Sequence, residues 1–231
     1  MRTVPTALDP PSDSSRRILD AVRRHPSAVL LTAQLLAVLA YPFADGSTVG
    51  RAFLGAMGTG VVLIALWAVR RTPALGWIAV LLGGPAMVFS ILEAFVDKDA
   101  VVLTSALLHA PFYFYVSYGM IRYLFHDDRV TTDELYATGA AFTVVAWGFA
   151  YVFVACQIIW PGSFGGDQLR FFDLLFLSFT NLTSVGLSDI LPTMGHARSF
   201  VMIEQVAGVL YVALVIARLV GLTVARQANR N

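Results

Sequence analysis

Hydrophobic residues fall into six runs, at about 28–43, 52–69, 75–95, 101–124, 136–160 and 199–222, with polar breaks between them. A helix rises about 1.5 Å per residue and needs about 20 apolar residues to cross roughly 30 Å of hydrocarbon. Each run is therefore predicted to be a membrane-spanning helix. A further apolar stretch, 171–182, is too short to cross. Backbone at membrane depth must find its hydrogen bonds in protein or water, so this stretch reads as a helix that enters from one side and turns back. The pattern predicts an all-α integral membrane protein of 4 + 2 layout: four leading helices, then a helix, a re-entrant helix with its loop, and a sixth spanning helix.

The 231-residue chain is 57% hydrophobic and 13% charged, against about 45–50% and about 25% in soluble domains. One soluble core cannot hide that excess, and the lipid bilayer is the partner it implies. The formal net charge of +1 implies no nucleic-acid partner. A single cysteine, Cys156, excludes an intrachain disulfide and a thiolate metal cluster. Residues 1–26 are polar, acid-containing and interrupted by proline, so they are read as a tail and the first apolar run as retained, not as a cleaved signal peptide. Within that tail, 12–25 is either an Arg-rich surface helix against anionic headgroups or a solvated segment.

Basic residues are shared unequally between the helix ends. Twelve fall on one side, Arg70, Arg71, Arg122, Arg129 and Arg218 among them, and only Arg51, Lys98, Arg170 and Arg198 on the other. The richer side is cytoplasmic. Both termini are thus placed in the cytoplasm of a multi-pass cell-membrane protein, and the loop 161–196 opens outward.

The stretch 171–192 reads as short helix, narrow loop and exit, and it holds Thr183-Ser-Val-Gly-Leu-Ser-Asp189 followed by Ile190 and Pro192. This segment resembles the Thr-Thr-Val-Gly-Tyr-Gly-Asp filter of potassium channels, and 204–221 is similar to the inner helix of prokaryotic members of that superfamily. The likeness covers roughly 136–222. It implies a division into the tail 1–26, a four-helix membrane domain 27–129 shaped like a voltage sensor, and a pore domain 130–231. It also implies that Thr183, Ser184, Val185, Gly186, Leu187 and Ser188 form an ion-conducting filter whose carbonyl oxygens replace an ion's hydration shell, with Asp189 at the outer pore mouth. One such loop cannot surround an ion, so a homotetramer is implied. The permeant species would be monovalent cations, K⁺ and as an alternative also Na⁺; no other cofactor is called for.

Two positions depart from the family pattern: Leu187 stands for the aromatic residue and Ser188 for the second glycine. A left-handed backbone at 188 would cost about 1–2 kcal/mol per chain, unless the serine hydroxyl offsets it locally or the outer filter takes another conformation. The fourth span carries only Arg122, at its cytoplasmic end, so it has no series of charges for sensing voltage.

Several single residues stand out. Glu204, about two turns inside the last span, is read as bracing the pore, with a water pocket or an interfacial position as alternatives. Asp173, at the start of the short helix, suits the positive end of its dipole and belongs to the same bracing. Gly208 is either a gating hinge or a site of close helix packing. Glu93 and His109 lie within the third and fourth spans, as a relay or as satisfied packing residues. Pro85 and Pro111 are expected to kink or loosen their helices. No arrangement for enzyme catalysis appears. The reading is a cation channel subunit, potassium-conducting, with a non-selective Na⁺/K⁺ pathway or a non-conducting membrane scaffold or regulatory subunit as alternatives.

Overall fold

The computed structural model describes residues 25–44, 47, 49, 50, 58, 60, 73–96, 98–125 and 131–228. Six helices can be followed along them: α1 Pro26–Ala44, α2 Pro73–Phe95, α3 Asp99–Leu124, α4 Thr132–Ile159, α5 Phe171–Leu182 and α6 Gly195–Ala228. Four of these, α1, α3, α4 and α6, are long and apolar enough to cross a membrane, and the chain is read as a membrane protein on that ground. The apolar part of α2, Trp77–Glu93, is shorter. Of the predicted run 52–69 only Gly58 and Gly60 are described, so that helix, like residues 1–24 of the tail, lies outside the described residues.

Helices α1, α3, α4 and α6 begin before their apolar runs, with polar residues in their first turns. α4 shows why. Thr131 Oγ1 accepts from the Glu134 amide at 3.2 Å while Glu134 Oε2 accepts from the Thr131 amide at 3.4 Å, a reciprocal cap that satisfies two otherwise orphaned donors. Pro85 and Pro111 both sit inside helices that continue through them.

Cross-contacts give the helix directions. Ser27 on α1 donates to Asp133 through both its amide and its hydroxyl, and Thr143 donates to Gln34 at 2.5 Å, so α1 and α4 run parallel. α3 runs antiparallel to α4, with His109 stacked on Tyr151 and Tyr113 against Trp147. α6 is also antiparallel to α4: Tyr211 donates to Thr138 O at 2.6 Å and Arg218 pairs with Glu134 at 3.4 Å. Ser27 and Arg218 therefore lie at the same end of the bundle. The core centres on α4, whose Ala140, Ala141, Val144, Ala150 and Phe153 are fully buried.

His109 is a satisfied packing residue. Its Nδ1 lies 2.8 Å from Ser105 O and its Nε2 3.0 Å from Ser90 Oγ. A carbonyl can only accept, so Nδ1 carries a proton, and in the neutral ring Nε2 accepts from the serine. Glu93 is close to the same Ser105.

Candidate functional site

The site is built between the ends of α4 and α6. After α4 the chain turns at 160–170 and is pinned by side chains. Gln157 exchanges two hydrogen bonds with the Leu169 backbone, each 2.9 Å, and Ser163 Oγ donates to Trp160 O at 2.6 Å. α5 then starts with Asp173 Oδ2 accepting from both the amide and the Nε of Arg170 at 3.3 Å, which places a carboxylate at the positive end of the helix.

α5 has 12 residues, about 18 Å of rise; Ser178 meets Ala146 at the middle of α4, and the helix ends one turn further on, at Leu182. The chain then returns. Thr193 donates through its amide to Ser163 O at 2.9 Å and through its hydroxyl to Gly162 O at 2.5 Å, and His196 stacks on Trp160 at 4.1 Å. The helix and loop thus go in and come back at one end of the bundle, sealed by contacts between residues on either side of the excursion.

The loop 183–189 lies between these limits. Its first amides fold back on the end of α5: Ser184 N donates to Asn181 O at 2.9 Å, while Val185 N and Gly186 N each donate to Thr180 O at 3.0 Å. With Thr183 as the C-cap, the Ser184 and Val185 bonds are the paired bonds of a Schellman ending, and the residue that must turn left-handed is Ser184. Its φ is 59°, and it is the one non-glycine residue with positive φ among the described residues. Sequence reasoning weighed a left-handed Ser188 against another conformation of the outer filter; the left-handed serine is Ser184, and Ser188 is not left-handed. Ser188 instead accepts from Ile190 N at 3.1 Å, a local turn in which glycine would relieve no left-handed strain. Gly186 has φ 65°, as glycine permits. Thr183, Ser184, Val185, Gly186, Leu187 and Asp189 are exposed in the single chain, and Ser188 half so.

Behind the loop, α5 and α6 meet through residues four apart on each helix. Ser178 Oγ is hydrogen-bonded both to Ala146 O, at 2.8 Å, and to the Glu204 carboxyl. One turn on, Gly208 backs onto the Leu182 carbonyl group so closely that a Cβ there would collide with its oxygen and sit 2.8 Å from its carbon. α6 is unbroken through Gly208, so in this conformation the glycine serves close packing. Glu204 is fully buried, and the Asn181 side chain lies beside its carboxyl.

The structure therefore brings Glu204 and Gly208 to the back of the loop and Asp173 to the entrance of α5, and leaves Asp189 exposed at the return. Sequence reasoning missed Ser178 and Asn181 as the partners of Glu204, and the pairing of Arg218 with Glu134. The Thr131-to-Glu134 spacing is a signal that could have located the start of α4; nothing in the linear pattern marks the others.

A family model described as "Ion channel" matches residues 139–225, which take in most of α4, all of α5, the loop and most of α6. No curated protein and no solved structure matches the chain.

Proposed function

We propose that the chain is a subunit of a cation channel that conducts potassium passively through a central pore made by four copies. The observation that carries this reading is the half-depth helix α5 with its returning loop, held at both ends, inside the segment matched by the ion-channel family. Exposed backbone at this depth needs a partner, and a ring of loops offering carbonyls to a dehydrated cation supplies one. In this reading Ser184–Leu187 form the ion path, Asp189 adds an acidic ring at the outer mouth, and Glu204 with Asp173 braces the loop. Both termini lie in the cytoplasm.

One observation favours a less selective pathway. Leu187 is 73% exposed and has no hydroxyl, so it supplies no hydrogen bond to restrain the width of the loop. The test is reconstitution of the purified chain in liposomes with reversal potentials recorded between K⁺ and Na⁺. A potential displaced toward the K⁺ equilibrium value is the expected result, and one near zero with flux present selects the non-selective pathway. A verified tetramer that passes no ion would leave a scaffold role and sink the channel reading.

A further inference from the structure

We infer that Glu204 is held as an un-ionised carboxylic acid that positions the loop, the first link of a one-way hydrogen-bond chain from α6 through Ser178 of α5 to α4. The argument is a count of protons. Ser178 Oγ carries one hydrogen and has two oxygen partners, Ala146 O and the Glu204 carboxyl. The peptide carbonyl has no proton to give, so the serine hydrogen goes to Ala146. The contact between Ser178 and Glu204 must then be made by a proton on the glutamate.

The other carboxyl oxygen completes the pattern. Glu204 Oε2 and Asn181 Nδ2 are both buried, and neither has a full hydrogen bond among the described residues. One is an acceptor and the other a donor on neighbouring side chains. An acid whose one oxygen donates to Ser178 leaves the other as an acceptor facing the Asn181 amide; a carboxylate would meet Asn181 equally well but has no proton to give Ser178. No cation pairs with Glu204 among the described residues, and an unpaired charge in apolar surroundings is strongly disfavoured. The donors run Glu204 to Ser178 to Ala146, with the Asn181 amide beside the other carboxyl oxygen, so they tie α6 to α5 and to the middle of α4. Glu204 thereby carries no charge toward an ion behind the loop. It acts through α5 and is a positioning residue.

The prediction separates glutamine from every other replacement, because glutamine keeps one donor and one acceptor on the same frame. The full-length chain in liposomes at neutral pH is compared with E204Q by infrared spectroscopy: the wild type is expected to show a protonated-carboxyl C=O stretch that E204Q loses. Absence of that difference would mean an ionised Glu204 and would overturn the inference. This arm does not require conduction. The second arm rests on the channel reading: E204Q is expected to keep the wild-type K⁺/Na⁺ reversal potential, whereas E204D, one methylene short, and E204L, without polar atoms, shift it toward zero. An E204Q chain as impaired as E204L would also overturn the inference. A wild type without ion flux would fail the channel reading alone and leave the infrared result standing.

Discussion

α4 and α6 look alike as sequence: each has a 28-residue apolar span, with mean hydropathy 2.0 and 2.2. Their surroundings differ. Within one chain, 72% of the most apolar window of α4 is buried against 17% for α6. α4 is surrounded by α1, α3, α5 and α6, whereas α6 is attached by one seam, Ala197, Val201, Glu204, Gly208, Tyr211, Val215 and Arg218, spaced alternately four and three residues apart. That spacing keeps a single stripe of a helix against its neighbour. Val206, Val209, Leu210 and Leu214 lie off the seam and are more than half exposed. Hydropathy thus measures how apolar a helix is, and only the position of its neighbours tells whether that surface meets the same chain.

The largest effect that would test this contrast is at the centre of α4. Phe153, fully buried, should lose about 3 kcal/mol of stability on replacement by alanine, through lost contacts and a cavity, when unfolding is followed in detergent at monomer dilution. Leu214→Ala, off the seam, should change by less than about 0.5 kcal/mol in the same measurement. Equal losses at the two sites would break the contrast.

A smaller effect is expected on the seam itself. Gly208→Ala forces a Cβ onto the Leu182 carbonyl, where backbone meets backbone and neither can rotate away, and should destabilise by about 2 kcal/mol. Gly221→Ala is the control, since nothing lies within 4 Å of a Cβ there. Thermal unfolding of the two variants side by side reads the difference, and a Gly208→Ala chain as stable as Gly221→Ala would remove close packing as the reason for the glycine.

The smallest effect concerns the end of α5, on which that seam rests. Ser184→Gly should raise stability by about 1 kcal/mol, because glycine takes the left-handed conformation at C′ without the penalty of a Cβ. Ser188→Gly should give no such gain. A denaturant midpoint that rises for position 188 and not for 184 would contradict the backbone described here.

The helices themselves were legible without coordinates. Apolar runs of sufficient length predict them because a backbone surrounded by hydrocarbon must bond to itself, and the short stretch 171–182 coincides with α5. The loop motif and the isolated acid at 204 were legible for a related reason: a polar group in an apolar run is conspicuous. What only the tertiary structure decided is the partner of each such group. Ser178 and Glu204 are 26 residues apart, and Glu134 and Arg218 are 84 apart; no local period relates them. The same holds for Gly208, whose neighbour is a carbonyl of another helix, and for the left-handed residue, which follows from where α5 runs out of partners for its last carbonyls and turns back on itself. Local hydrogen bonding and hydropathy determine that a segment is a helix. Which face of it is covered, and by what, depends on contacts between segments far apart in the chain, and those exist only once the chain has folded.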